Sequence, residues 1–231
     1  MSDFGYRTDG LYVPAGRSQE AVLATNKVLK NTYLLLSMTL LFSAVTAIIG
    51  MQVILPPMMY WVLFFVSFGL LFWVNASANS AMGIVAVFAF TGLMGFILGP
   101  MLSFYLTAIP NGPAIVMQAL AGTGLIFLTL SGYVLTTRKD FSFMKGFLFT
   151  GLVVLVVAML ANIFLNMPAL SLAISAVAVL VFSGLILFDT SRIIHGGETN
   201  YIRATVSLYL DIYNLFIHLL HLLAVLSGNR D

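Results

Sequence analysis

The sequence predicts an all-α membrane protein: a single bundle of seven transmembrane helices, with the N-terminus cytoplasmic and the C-terminus outside. Three observations carry this. The chain is 61% hydrophobic and only 8% charged, with a mean hydropathy of +1.05, whereas a soluble domain carries about 25% charged residues. No Asp, Glu, Lys or Arg occurs between Lys30 and Arg138. The charges that remain sort to one side of the resulting spans.

Residues 1–30 contain Arg7, Arg17, Lys27 and Lys30 and no apolar core of the signal-peptide kind. They read as a polar, weakly structured cytosolic tail, and residues 31–231 as the membrane domain. A spanning helix needs roughly 20 apolar residues, and breakers cut the apolar run accordingly. The first span covers about 32–55, up to Pro56-Pro57, and the second about 58–74, up to the polar run Asn75 to Ser80. The third covers about 81–106 and the fourth about 114–135, with Pro110-Asn111-Gly112-Pro113 as the turn between them. After the polar Arg138-Lys139-Asp140 come spans of about 143–165, 170–194 and 204–226.

Basic residues in short loops favour the cytoplasmic side. With the N-terminus inside, Arg7, Arg17, Lys27, Lys30, Arg138, Lys139, Lys145, Arg192 and Arg203 all fall inside, and only Arg230 falls outside. An even number of spans would scatter them.

Composition also excludes several classes of function. A formal net charge of +2 without a basic stripe gives no footprint for nucleic acid. The absence of Cys removes disulfides, thiolate metal sites and Cys nucleophiles. No HExxH, nucleotide loop or Ser-His-Asp spacing is present, so the chain does not read as an enzyme and no cofactor is expected. An acid pair can in principle cleave peptides within a membrane, but the flanking residues here give that no support.

Two acids interrupt the last two spans, Asp189 and Asp211. At 1.5 Å per residue each lies roughly 8 to 10 Å from the inner end of its helix, so the two are level in the inner third of the membrane. Ionisable groups at that depth are costly and default to function. Two carboxyls side by side share a proton, or bind a hard cation such as Ca²⁺ through oxygen. The plainer alternative neutralises each acid separately, Asp189 with Arg192 and Asp211 with Ser207 or Asn214.

Ser207, Asp211, Asn214, His218 and His221 form one polar stripe on the seventh helix, with Tyr209 and Tyr213 on the opposite side. The stripe is expected to face the bundle centre and to line a path toward the outer half. His218 and His221 suit proton relay or metal ligation. No further ligand is identifiable from sequence, and hydrogen bonding to a neighbouring helix is the favoured reading. Gly95 and Gly99 form a GxxxG ahead of Pro100, which points to close helix packing or a kink. Thr39, Ser43 and Thr46 read as interhelical hydrogen-bond formers, and the loop His195 to Asn200 as a tight inner turn.

Several separated motifs occur in order: GIVAVFAFTGLMGFILGPML (Gly83 to Leu102), ALAGTGLIF (Ala119 to Phe127), YVLTTRKDFSF (Tyr133 to Phe143), FDTSRII and SLYLDIYNLF (Ser207 to Phe216). With these the chain resembles the Bax-inhibitor family of polytopic membrane proteins, and within it the bacterial YccA-like branch. The resemblance covers the sequence from about Lys27 onward. It implies seven helices with the seventh central, and an acid pair at Asp189 and Asp211 that gates a pH-sensitive calcium leak, with Ca²⁺ as the transported or bound ion. It also implies residence in the bacterial inner membrane, and a second role as substrate and modulator of the membrane AAA protease FtsH, engaged through the cytosolic tail. Leak-type relatives close with an Arg on the second helix. This chain has none there, and Arg192 is the nearest substitute.

Overall fold

A computed structural model describes residues 19–228. Apart from a single 3-10 turn at Ser142–Met144, its elements are seven α-helices: α1 Gln19–Met51, α2 Pro57–Ser77, α3 Met82–Ala108, α4 Gly112–Thr137, α5 Lys145–Leu165, α6 Pro168–Ile194 and α7 Tyr201–Gly228. All seven are long and apolar enough to cross a membrane. Every backbone N–H and C=O in lipid needs an internal partner, and a helix supplies it within one segment.

Local sequence sets the ends. Pro57 and Pro168 open α2 and α6, where the missing N–H costs nothing and the ring pre-sets φ. Arg138 and Asn166 end α4 and α5 in left-handed conformation, each donating its N–H back to Val134 and Asn162. Three boundaries differ from the sequence reading. Residues 19–30, assigned to the tail, are helical and continuous with α1, while residues 1–18 lie outside the described part. α2 runs on into the polar run because Asn75 and Ser77 donate to the Leu71 and Trp73 carbonyls of their own helix. α3 passes through Pro100 as expected and ends at Ala108, two residues beyond the expected end.

α7 is the centre of the bundle and packs against α1, α2, α3, α4 and α6. α2 and α5 sit at the periphery and present Trp61, Phe65, Phe72, Phe147, Val157 and Phe164 outward. The tightest pair is α1 with α3. A Cβ on Gly95 would stand 2.1 Å from the Ser43 carbonyl oxygen, one on Gly99 2.6 Å from that of Ala47, and one on Gly50 2.3 Å from that of Phe96. Only a glycine admits backbone to backbone at that range.

Hydrogen bonds then hang α7 on this pair. The Tyr209 hydroxyl donates to the Thr91 carbonyl at 3.2 Å. Its single proton is thereby used, so the Ser43 hydroxyl is the donor in the 2.7 Å contact with Tyr209. Tyr213 donates to the Met94 carbonyl at 3.2 Å. The tyrosine side of α7 is therefore as buried as the acid side, with Tyr209 at 1% exposure. Of the three hydroxyls read as interhelical, only Ser43 crosses. Thr39 and Thr46 bond to Leu36 and Ser43 carbonyls within α1, the usual alternative for a helical Thr.

Candidate functional site

α6 and α7 are antiparallel and joined by the short loop His195 to Asn200. That loop is held at both ends. Gly197 and Glu198 donate their N–H groups to the Arg192 carbonyl. The Asn200 side chain donates to Ala78 and Asn79 at the end of α2, and accepts from the Ile202 and Arg203 amides to cap α7. With both helices anchored next to the loop, Asp189 and Asp211 come level.

There the two acids stand close enough for each to act on the other's charge. Asp211 is 5% exposed and Asp189 9%. Asp211 Oδ2 is buried and meets no N–H or O–H donor among the described residues. Two ionised carboxylates are acceptors only, so a hydrogen bond between these two requires one proton, with one acid donating to the other.

Arg192 completes the arrangement. Its Nη1 lies 3.3 Å from Asp189 Oδ1 and its Nη2 3.5 Å from Glu198 Oε2, and the guanidinium packs 5.6 Å from the Phe188 ring centre. A chain of charge thus runs from buried Asp211 through Asp189 and Arg192 to Glu198 at the loop. Sequence reading treated the Glu198 turn as a connection only. Its return toward Arg192 depends on the left-handed Gly196 at φ 76°, a turn signal rather than a charge signal.

A second group reads as unremarkable in sequence. Tyr33 of α1 bonds to Ser131 of α4, which also accepts from Thr190 of α6 at 3.4 Å. Thr205 of α7 donates to the Tyr201 and Thr32 carbonyls. These hydroxyls extend the polar layer around the acids over four helices. Just past them, Ser191 accepts from the Phe141 amide at 3.0 Å, and the His195 ring contacts the Arg138 carbonyl at 3.1 Å, tying the α4–α5 loop to the end of α6. In that exposed loop, hydrogen bonding from Ser142 holds the Asp140 carboxyl below the usual carboxylate range.

The stripe on α7 is not continuous. One turn outward from each acid stand Ile186 and Leu215, both fully buried in one apolar cluster with Phe182. Beyond them His218 and His221 each approach Ser175 Oγ of α6, at 3.2 and 2.9 Å. Asn214 turns back to its own Leu210 carbonyl, and Ser207 is half-buried. No three His, Cys, Asp or Glu side chains gather among the described residues. Ca²⁺ takes six to eight oxygens, more than two carboxyls beside a guanidinium offer.

The model of the family described as inhibitor of apoptosis-promoting Bax1 matches residues 25–229. The chain belongs to the Bax-inhibitor family. Among the members it resembles, an uncharacterized membrane protein of Vibrio cholerae is 55% identical over 92% of this chain and 95% of its own length. The modulator of FtsH protease YccA of Escherichia coli K12 is 53% identical over 93% of this chain and 97% of its own. A Pseudomonas aeruginosa protein without an assigned role is 50% identical over 87% and 90%. In a second E. coli strain the relative is named inner membrane protein YccA. With seven spanning helices, this Bax-inhibitor family member is an inner-membrane protein.

Proposed function

We propose that the chain is a proton-gated leak for Ca²⁺ or a related cation, closed in the arrangement described above. The observation that carries this is the buried pairing of Asp189 with Asp211 across α6 and α7, directly inward of the apolar layer Phe182, Ile186 and Leu215. While one proton is shared, α6 and α7 are joined and the layer stays dry, and hydrophobic constrictions of this kind gate by dewetting. Loss of that proton places two negative charges in contact. Their repulsion is roughly 4 kcal/mol at 4 Å for an effective dielectric of 20. One interhelical hydrogen bond in a membrane contributes only about 0.6 kcal/mol, so ionisation outweighs the bonds that close the helices. The freed oxygens then attract a cation. Arg192 occupies the position of a lock, reached from α6 itself and held in turn by Glu198.

The test is Ca²⁺ flux into liposomes bearing the full chain across about pH 5 to 8. Flux is expected to rise with pH in the wild type and to lose that dependence in Asp189→Asn and Asp211→Asn. The same pH profile in both variants as in the wild type would sink the gate.

A second reading is favoured by the E. coli relative named as a modulator of FtsH protease. Under it the chain occupies that protease through residues 1–18 and the helical start of α1. Deleting residues 1–18 and following protein half-life in cells separates the two readings, because the acids are left intact.

A further inference from the structure

We infer that the outward end of the α6–α7 pair holds a site for a soft monovalent cation of the Cu(I) or Ag(I) class, ligated by His218, His221 and the thioethers of Met101 and Met159. All four side chains line one cavity of about 390 Å³. The cavity lies among the ends of α3, α5, α6 and α7 that point away from the basic loops.

The two imidazoles are already positioned. Both Nδ1 atoms meet Ser175 Oγ, at 3.2 Å for His218 and 2.9 Å for His221. A hydroxyl oxygen has two lone pairs, so Ser175 can accept an N–H from each ring. In that tautomer both Nε2 lone pairs are open. A ligating His is normally fixed in this way through its other nitrogen. The His218 ring is further held flat on Phe182, with an interplanar angle of 13° and a centroid distance of 6.2 Å. Neither Nε2 has a hydrogen-bond partner among the described residues.

The remaining lining selects the ion. It contains no Asp, Glu, Lys, Arg or Cys; its other polar members are Asn162, Asn166, Ser171, Ser175 and Tyr105. Zn²⁺ sites are built from Cys, His and carboxylates, and Ca²⁺ from six to eight oxygens with carboxylates prominent. Neutral imidazole with thioether is the donor set for Cu(I). A cavity with no compensating negative charge also favours the ion that brings one positive charge over two. Sequence alone offered the two histidines and no further ligand. The fold supplies the methionines, one from α3 and one from α5.

The experiment uses the full chain in nanodiscs, with Cu(I) under a reductant competed by bicinchoninate. Wild type is expected to retain one equivalent more than the double variant His218→Asn/His221→Asn. Ser175→Ala is expected to lose affinity by about 10- to 100-fold, as for other residues that orient a ligand. Met101→Leu/Met159→Leu should weaken Cu(I) and leave Zn²⁺ uptake unchanged, and X-ray absorption of the wild type should show both nitrogen and sulfur around the metal. Gly132→Ala, with open space around it on α4, serves as the control that leaves binding intact, and size-exclusion profiles monitor folding. Equal Cu(I) retention in wild type and both ligand variants, a shell of nitrogen alone, or preference for Zn²⁺ would overturn the site. Should the histidine double variant not fold, the Ser175→Ala and methionine arms decide by the same criteria.

Discussion

Arg192 holds Glu198 with the guanidinium nitrogen that it does not give to Asp189: Nη2 reaches Glu198 at 3.5 Å, and Nη1 reaches Asp189 at 3.3 Å. One cation is thus divided between an acid of the proposed gate and an acid of the loop. A cation beside a carboxyl favours its charged form, so under that proposal the division sets the pH at which the gate gives way. Removing the cation with Arg192→Gln is expected to move the flux–pH profile to higher pH. Glu198→Gln, which leaves Arg192 to Asp189 alone, should move it to lower pH. Arg192 is about a third exposed, so solvent screens it and each shift should be on the order of one pH unit or less. Shifts in the same direction for both variants would show that the division has no such effect.

The α1–α3 contact makes a stability prediction. Any Cβ at Gly95 meets a backbone oxygen at 2.1 Å, and backbone cannot step aside as a flexible side chain does. Gly95→Ala is expected to cost at least the 1–3 kcal/mol typical of overpacking, read by reversible unfolding in mixed micelles. Gly132→Ala, on α4 with open space around it, is the control and should be neutral or slightly stabilising, since Ala is the better helix former.

Tyr209→Phe keeps the ring and removes the hydroxyl that joins Ser43 to the Thr91 carbonyl. Interhelical hydrogen bonds in a bilayer average about 0.6 kcal/mol and reach about 1.7. The expected loss is in that range, clearly smaller than that of Gly95→Ala in the same assay. A larger loss would mean that the hydroxyl, rather than ring packing against Phe90, fixes the position of α7.

The exposed α4–α5 loop has its own pH dependence. Its Asp140 carboxyl is held below the usual range by Ser142. A carboxylate depressed in the folded state contributes order above its unfolded value, and that contribution is lost as pH falls through the folded one. The Ser142 amide, which donates to Asp140 Oδ1 at 2.8 Å, should titrate in NMR spectra with a midpoint below the ordinary Asp value of about 3.9. Asp140→Asn should abolish the titration.

Much of the fold was legible because a membrane span announces itself by length and hydropathy, and because loop charges report orientation. The depth of Asp189 and Asp211 followed from counting residues inward from Ile194 and Ala204. What sequence did not reveal was whatever depends on a second helix. Tyr209 and Tyr213 stand opposite the acids on α7, which read as an outer face. Tyr209 is buried and Tyr213 partly so because α7 is surrounded, and a polar stripe marks one inward face without showing that the opposite face is covered too. Ser131 and Thr190 are ordinary span hydroxyls in sequence, with nothing to separate them from Thr39, which bonds only to its own helix. Met101 and Met159 look like packing until α3 and α5 bring them to one cavity.

The glycine contact between α1 and α3 has a mechanical consequence. Helices that touch through backbone have no rotamers with which to absorb a displacement, so α1 and α3, with α7 hung on them by two tyrosines, behave as a stator. The proposed rotor is α6, which carries the α4–α5 loop at its end through Ser191 and His195. Under the proposed gating, a proton lost from the acid pair would therefore have one inexpensive direction in which to do work: it would swing the inner end of α6 outward and pull the start of α5 with it, while the frame that faces it stays still.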